Sequence, residues 1–148
     1  MVSDADGAGS AKHPFRILLV CEANVCRSPM AEYLLRESLA DKGADTHAFE
    51  LSSAGIHADD GAEMDPRTVE QLTRLSVSPN GFHSHTVTAQ DLDDADLILT
   101  ATRAQRSLLL ERQPTALRRS FTMLEFAQTA PQVRRRWPNI REPRTWSD

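Results

Sequence analysis

The feature that most constrains this chain is a short loop that begins with a thiol and ends with a guanidinium. An apolar run, Ile17-Leu18-Leu19-Val20, leads into Cys21, and Glu22-Ala23-Asn24-Val25-Cys26 connects that cysteine to Arg27. The apolar run is typical of a buried strand, and the residues after Arg27 have the composition of a helix start. The sequence therefore predicts a strand, a loop and a helix in direct succession.

A junction of this kind can bind an anion. Backbone N–H groups of the loop and of the helix N-terminus converge on one concave spot that favours negative charge. Arg27 adds a planar guanidinium that matches two oxygens of a phosphate. The same positive surroundings would favour the thiolate of Cys21, which is the nucleophilic form of cysteine. The pattern predicts phosphoryl transfer through the sulfur of Cys21 rather than an inert cysteine packed as a small hydrophobe.

The start of the helix supports this interpretation. Ser28 is predicted as the N-cap and Pro29 as the first helical residue, with Glu32 in the first turns. A motif counts for more when its structural context agrees with it, and here strand, loop and helix signals occur in the required order.

The run from Cys21 to Glu32 resembles the signature of the low-molecular-weight protein tyrosine phosphatase family. Shorter likenesses follow at Ser53-Ala54-Gly55, Asp65-Pro66-Arg67 and Ala95-Asp96-Leu97-Ile98-Leu99-Thr100. The resemblance spans roughly residues 15–127. It implies an α/β domain with a four-stranded parallel sheet, and hydrolysis of phosphotyrosine or aryl phosphate monoesters through a phosphocysteine intermediate.

The resemblance also implies roles for individual residues. Cys21 would be the nucleophile, Arg27 would bind the phosphoryl oxygens, and Ser28 would donate a hydrogen bond that helps hold the thiolate. No metal or organic cofactor is implied. The remaining members of the phosphate-binding loop would be Glu22, Ala23, Asn24, Val25 and Cys26, of which Asn24 shapes the backbone and Cys26 is the second family cysteine.

Two departures from the family pattern bear on activity. The family usually has glycine where this chain has Ala23, and a Cβ there is tolerated only if the backbone keeps a negative φ. The family pattern also includes a later Asp-Pro loop, whose aspartate is the general acid, and a last helix. The residues up to Asp148 contain neither, and Asp65-Pro66 falls in a different block of the pattern. We therefore expect reduced activity.

Two alternatives stay open at this point. The first is a non-catalytic phosphate- or phosphoprotein-binding module, a pseudophosphatase, in which the loop is kept and the acid is lost. The second is a thiol-coupled arsenate reductase, which shares a similar loop. That chemistry passes a disulfide along further cysteines, and the sequence has none after Cys26.

The walls of the site are expected to shape substrate choice. By resemblance, residues 56–60 would form one wall, where family members often carry an aromatic that stacks on the phosphotyrosine ring. Here His57 and Ala58 stand near that place, and the acids beside them are expected to repel acidic peptides. A family histidine that bonds the loop is replaced in register by Phe82, with His83 and His85 nearby.

Local patterns predict the order of the elements and the domain limits. Strands are predicted near 15–21, 47–53, 96–101 and 120–122, and helices near 29–42, 66–75, 89–94 and 102–112, with a helical turn at 123–129. Residues 1–14 are predicted to be a disordered leader, 15–130 one phosphatase-like α/β domain with helices on both faces of the sheet, and 131–148 an irregular basic tail.

Composition narrows the setting and the partners. No apolar run reaches membrane-spanning length, the N-terminal residues do not form a secretory signal, and two cysteines in one loop make no disulfide framework. A cytoplasmic protein without a membrane partner is expected. Residues 101–148 hold 10 Lys and Arg against 4 Asp and Glu, but no recognition motif supports nucleic acid as a partner. The expected partner is a phosphotyrosine protein or a small aryl phosphate, and nothing predicts an oligomeric state.

Overall fold

The centre of the molecule is a sheet of parallel strands. A computed structural model describes residues 13–43, 45 and 47–136, with 130–136 described by their backbone only. In this part of the chain the strand order is β2-β1-β3-β4, and every neighbouring pair is parallel. The predicted four-stranded parallel sheet is confirmed. Its strands are β1 (Phe15–Cys21), β2 (Phe49–Gly55), β3 (Leu97–Thr100) and β4 (Ser120–Thr122).

Helices make the crossovers that parallel strands require. The first connects β1 to β2, two helices lie between β2 and β3, and another lies between β3 and β4. The last helix follows β4. They are α1 (Arg27–Asp41), α2 (Pro66–Arg74), α3 (Ala89–Asp94), α4 (Arg103–Arg112) and α5 (Met123–Arg136), with a 3₁₀ turn at Pro114–Arg119.

The two faces of the sheet carry separate apolar cores. Side chains alternate along a strand, so Leu18 and Val20 of β1 join one cluster and Ile17 and Leu19 join the other. The first cluster includes Leu92 of α3 and Leu109 of α4, and α1 packs on the second. Each fully buried leucine or isoleucine contributes about 1.5–3 kcal/mol of transfer free energy. The predicted three-layer arrangement follows from this continuous apolar pattern in β1.

This topology places the loop after β1 at the edge where a ligand is expected. The chain order runs from β1 to β2 in one direction and through β3 to β4 in the other. The carboxyl end of β1 therefore lies beside a point where the strand order reverses, and open α/β sheets bind ligands at such points. In the register of the sheet, Cys21 at that end stands opposite Gly55 of β2.

The start of α1 differs from the prediction. The helix begins at Arg27, and Cys26 occupies the N-cap position without a side-chain cap hydrogen bond. Ser28 is inside the first turn, because its hydroxyl is engaged by Cys21 and Asn24 instead of by the helix backbone. The N–H groups of Arg27 and Ser28 are therefore not capped by a side chain and stay available to a bound anion, while the Met30 N–H donates to the Cys26 carbonyl.

The end of the described chain also differs. Irregular structure was expected from Pro131, but α5 continues through it to Arg136. A proline inside a helix costs about 3 kcal/mol and one hydrogen bond, yet the glutamine and arginines that follow are good helix formers, so one proline does not end the helix. Residues 137–148 of the predicted tail and 1–12 of the predicted leader lie outside the described residues.

Candidate active site

The loop brings the predicted nucleophile and the predicted phosphate-binding arginine to its two ends. Cys21 is the last residue of β1 and is 3% exposed, whereas Arg27 is the first residue of α1 and faces solvent. Within the described residues, no acceptor occupies the backbone N–H groups of residues 22–26. A buried sulfur thus lies at the start of a loop whose backbone N–H groups have no acceptor among the described residues, and an oxyanion requires such donors.

Asn24 is the buried centre of the loop. Its Oδ1 accepts from the backbone N–H of His85 at 3.0 Å, and its Nδ2 donates to Ser28 Oγ at 2.8 Å and to Ser53 Oγ at 3.0 Å. Its φ of 56° lies in the left-handed region, which asparagine tolerates better than most residues. Asn24 therefore bends the loop and ties it to three other segments.

Ala23 has the negative φ that a side chain at this position requires. Among the described residues other than glycine, only Asn24 and Ser76 have a positive φ. The backbone at Ala23 thus stays in a region open to a side chain, so its Cβ replaces the family's glycine without backbone strain.

Ser28 lies directly beside the sulfur. Its Oγ is 3.0 Å from Cys21 Sγ and 3.4 Å from the carbonyl oxygen of Ala54, and the side chain is fully buried. The sulfur therefore has a hydroxyl within hydrogen-bond distance in a place that water does not reach. Such a donor can stabilise a thiolate by a charge-assisted bond.

A second line of polar side chains leads away from Ser53. Its hydroxyl donates to Glu32 Oε1 at 2.6 Å, and the other carboxylate oxygen of Glu32 accepts from Arg36. Glu32 is 8% exposed, so the carboxylate is buried and paired. The Arg36 guanidinium lies 4.9 Å from the centre of the Tyr33 ring, and burial, together with the nearby Glu32 charge, raises the pKa of Tyr33.

Gly55 allows the loop to pack against the sheet. A Cβ at this position would stand 2.8 Å from the carbonyl oxygen of Glu22 and 2.9 Å from the nitrogen of Asn24. Both are backbone atoms, so they have little freedom to move aside. The Gly55 N–H donates to the carbonyl of His85 at 2.9 Å, and its carbonyl accepts from Val87 N–H at 2.8 Å.

Four exposed polar residues belong to the loop or to the segment that follows β2, and we call them the rim: Glu22, His57, Asp59 and Asp60. His57 Nδ1 contacts the Glu22 carboxylate, and the His57 backbone N–H donates to the Glu22 carbonyl at 2.8 Å. Asp60 Oδ1 accepts from the backbone N–H of Thr86 at 2.7 Å. The rim is therefore acidic and is attached to the segment that also holds Asn24.

Asp65 and Cys26 are engaged in structural contacts. Asp65 Oδ1 accepts from the Arg67 backbone N–H at 2.8 Å, so Asp65 is the N-cap of α2. Its own N–H donates to the carbonyl of Val25 at 2.8 Å. Cys26 is exposed and accepts a hydrogen bond from Thr68 Oγ1 at 3.2 Å.

Several residues of the site received no role from the sequence. The sequence pattern assigns no function to Ser53 or Gly55, and it identifies Glu32 only as part of a helix start. Histidine contact with the loop does occur, but through the backbone of His85, since its ring contacts Asp91. The available signal was the small and polar run Ser52-Ser53-Ala54-Gly55 at the end of a buried strand.

In the ranges that the structure describes, no group of three or more His, Cys, Asp or Glu side chains is placed to hold a metal ion. The helices in these ranges also lack the length and apolar character needed to cross a membrane.

Comparison with known proteins agrees with this geometry. The family model described as "Low molecular weight phosphotyrosine protein phosphatase" matches residues 16–146. The probable low molecular weight protein-tyrosine-phosphatase EpsP of Ralstonia nicotianae is 35% identical over 112 residues, 76% of this chain and 72% of that protein. A protein-arginine-phosphatase of Geobacillus stearothermophilus is 31% identical over 113 residues, again 76% and 72%.

The fold is also shared with solved structures. The crystal structure of YfkJ from Bacillus subtilis superposes with a TM-score of 0.73 at 30% identity, covering 78% of this chain and 74% of that one. The match of the family model extends over most of the chain, and the loop, the parallel sheet and the buried cysteine agree with it. The chain belongs to the low-molecular-weight phosphotyrosine protein phosphatase family.

Proposed function

We propose that this protein hydrolyses phosphotyrosine in proteins, or small aryl phosphate monoesters, through a phosphocysteine on Cys21. The observation that carries the proposal is the buried Cys21 sulfur, 3.0 Å from Ser28 Oγ, at the base of a loop with free N–H groups. Arg27 stands at the other end of that loop. Family membership supports a hydrolase acting on phosphoproteins.

The reaction follows from the roles that these groups can take. The thiolate of Cys21 attacks phosphorus in line with the ester oxygen, forming an S–P bond as the P–O bond to the leaving group breaks. Arg27 and the loop N–H groups stabilise the charge on the three non-bridging oxygens. Water then attacks the phosphocysteine, releases inorganic phosphate and returns Cys21 to the thiolate.

The protonation of the leaving group has no assigned donor in these 148 residues. The Asp-Pro pair in the sequence is Asp65-Pro66, and the Asp65 carboxylate is occupied as the cap of α2. A positioned general acid contributes about 10² to 10⁴ in rate, mostly for poor leaving groups. We therefore expect this chain to cleave p-nitrophenyl phosphate slowly and phenyl or alkyl phosphates far more weakly.

A leaving-group series checks that expectation. The plot of log kcat against the pKa of the leaving phenol should be steep, since the phenol departs without a proton. Asp59→Asn tests whether this exposed carboxylate of the rim protonates the leaving group, and Asp60→Asn is its control. A flat plot that becomes steep only in Asp59→Asn would identify Asp59 as the acid and contradict the expectation.

A second candidate substrate is phosphoarginine. Two observations favour it: relatives at about this level of identity are named protein-arginine-phosphatase, and the acidic rim suits a cationic guanidinium better than an acidic peptide. One peptide carrying either phosphotyrosine or phosphoarginine at the same position separates the two. The proposal predicts a higher kcat/KM for phosphotyrosine.

Two other possibilities lead to different outcomes. A pseudophosphatase would bind a phosphopeptide without turnover. An arsenate reductase would need a downstream cysteine to take the disulfide, and Cys26 is the last cysteine of these 148 residues.

The test of the proposal is a pair of cysteine variants assayed with p-nitrophenyl phosphate. Cys21→Ser should abolish turnover yet keep vanadate binding, because a serine hydroxyl at its ordinary pKa does not replace the thiolate. Cys26→Ser, in the same loop, should keep measurable turnover. Wild-type turnover in Cys21→Ser would contradict the mechanism, and vanadate binding without turnover in the unaltered chain would favour the pseudophosphatase.

A further inference from the structure

The buried carboxylate of Glu32 takes no part in the proposed reaction, yet a continuous set of hydrogen bonds connects it to the nucleophile. The connection runs from Glu32 through Ser53 and Asn24 to Ser28, and Ser28 contacts the Cys21 sulfur. We propose that Glu32 is a positioning residue that fixes the direction of the hydroxyl protons, so that Ser28 donates to the sulfur. The inference rests on the proposed role of Cys21 as nucleophile.

The first step is the orientation of the Asn24 amide. Its oxygen accepts a hydrogen bond from the backbone N–H of His85 at 3.0 Å, so its nitrogen must face Ser28 and Ser53. The nitrogen has two protons, and they point to Ser28 Oγ at 2.8 Å and Ser53 Oγ at 3.0 Å. Each serine hydroxyl uses a lone pair to accept from Asn24, and its single proton must go to another acceptor.

The second step is the destination of the Ser53 proton. Glu32 Oε1 lies 2.6 Å from Ser53 Oγ, and an ionised carboxylate can only accept. Arg36 holds the other carboxylate oxygen and also donates to the carbonyl of Leu51 at 3.2 Å. The Arg36 guanidinium thus orients the carboxylate on one side, and on the other side the carboxylate accepts the hydrogen bond of the Ser53 hydroxyl. A lone pair of the Ser53 oxygen is left to accept from Asn24.

The third step is the destination of the Ser28 proton. Two acceptors are in reach, Cys21 Sγ at 3.0 Å and the carbonyl of Ala54 at 3.4 Å. The sulfur is nearer, and as a thiolate it accepts a charge-assisted bond, which is stronger than a neutral one. The donor and acceptor directions along this series of hydrogen bonds therefore leave the Ser28 hydroxyl proton directed at the sulfur of Cys21.

Replacing Glu32 with glutamine tests this polarity with little change of shape. A glutamine NH₂ facing Ser53 would donate to it and turn the Ser53 proton toward Asn24. Asn24 could accept that proton only by rotating its amide, which would abandon the His85 N–H and bring its oxygen toward Ser28. The Ser28 proton would then have a competing acceptor, and the thiolate would lose part of its stabilisation.

The experiment is the pH dependence of Cys21 alkylation by iodoacetamide, in the full chain carrying Cys26→Ser so that Cys21 is the remaining thiol. Glu32→Gln should raise the pH of half-maximal alkylation by about one unit, which is the size expected for a charge-assisted hydrogen bond. Ser53→Ala should give a shift in the same direction. The double variant should shift no further than the larger single variant, since both act through one path.

The control is an equivalent pair on another helix. Glu70 and Arg74 of α2 are also spaced i, i+4 and form a 2.8 Å contact, but Glu70 is exposed. Glu70→Gln should leave the alkylation profile unchanged. An alkylation profile of Glu32→Gln identical to that of the parent would overturn the inference. If Glu32→Gln does not fold, the same result in Ser53→Ala would overturn it. Neither result would contradict the proposed function as long as Cys21 of the parent is alkylated at low pH. A parent whose alkylation follows an ordinary thiol would overturn the proposed function first, and this inference with it.

Discussion

Two regions of the same site differ in almost every physical respect. The floor of the loop consists of Asn24, Ser28, Ser53 and Gly55, which are buried and hydrogen bonded to one another or to neighbouring backbone. The rim faces solvent. Interactions in the floor are strong because the local dielectric is low and each lost partner leaves a buried group unsatisfied. Contacts in the rim are screened by water and salt.

We expect the floor and the rim to have different functions. The floor fixes the sulfur and the loop amides relative to phosphorus, so changes there should lower kcat. The rim sets the charge that an approaching substrate meets, so changes there should act mainly on KM. If chemistry and substrate choice are divided in this way, variants of the floor should change kcat and variants of the rim should change KM.

The largest effect is expected from Gly55→Ala. The new Cβ would meet backbone atoms of Glu22 and Asn24 at 2.8–2.9 Å, so the loop must move. A displacement of about 1 Å in a positioned site costs on the order of 10²-fold in rate. We expect a loss of that size in kcat for p-nitrophenyl phosphate, measured by steady-state kinetics.

The control for this variant is Gly43→Ala. Gly43 follows the C-cap of α1, has a φ of 74° and has open space where a Cβ would stand. Alanine there should lower the melting temperature through backbone strain and leave kcat close to that of the parent. If Gly55→Ala and Gly43→Ala had the same kcat, close contact between the loop and β2 would not matter for catalysis.

An intermediate effect is expected from Asn24→Ala. It removes three hydrogen bonds of a buried side chain, and it puts alanine at a φ of 56°. We expect kcat to fall about 10- to 100-fold and the free energy of unfolding to fall by about 2–4 kcal/mol. Asn24→Gly separates the causes, since glycine accepts that φ without strain. Recovery of kcat in Asn24→Gly would show that only the backbone shape matters and would contradict a role for the amide.

The smallest effect is expected from Glu22→Gln in the rim. Removing a negative charge beside the anion site should lower KM for p-nitrophenyl phosphate about two- to threefold at low salt, with less change in kcat. The effect should fade above about 0.1 M salt, where the Debye length is about 10 Å. Glu70→Gln on α2 serves as a control for net charge. A Glu22→Gln variant that lost kcat more than it changed KM would erase the distinction between rim and floor.

The parts of the site that the sequence predicted are the parts set by neighbouring residues. Cys21 and Arg27 belong to one loop, the apolar run before it makes β1, and Asp65 caps the helix that follows it. The sulfur and the loop could therefore be placed from local pattern alone, whereas the helix was predicted to begin at Pro29 and begins at Arg27.

The contacts between distant segments could not be predicted in this way. Glu32 meets Ser53 across 21 residues, and Asn24 meets the His85 backbone across 61. Sheet register and crossover packing choose these partners, and a single sequence does not encode them as a local pattern. The continuation of α5 was missed for a different, local reason, because Pro131 was given more weight than the helix-forming glutamine and arginines that follow it.

The central claim is that Cys21 carries the phosphoryl group during turnover. The most direct measurement is to mix the protein with p-nitrophenyl phosphate, quench in acid within milliseconds, digest with trypsin and locate phosphate by mass spectrometry. Trypsin cleaves after Arg16 and Arg27, so Cys21 and Cys26 lie in one peptide and fragment ions distinguish them. We predict one phosphoryl group on Cys21 in the unaltered chain. Steady turnover with no phosphate on Cys21, or with phosphate on Cys26, would contradict the account.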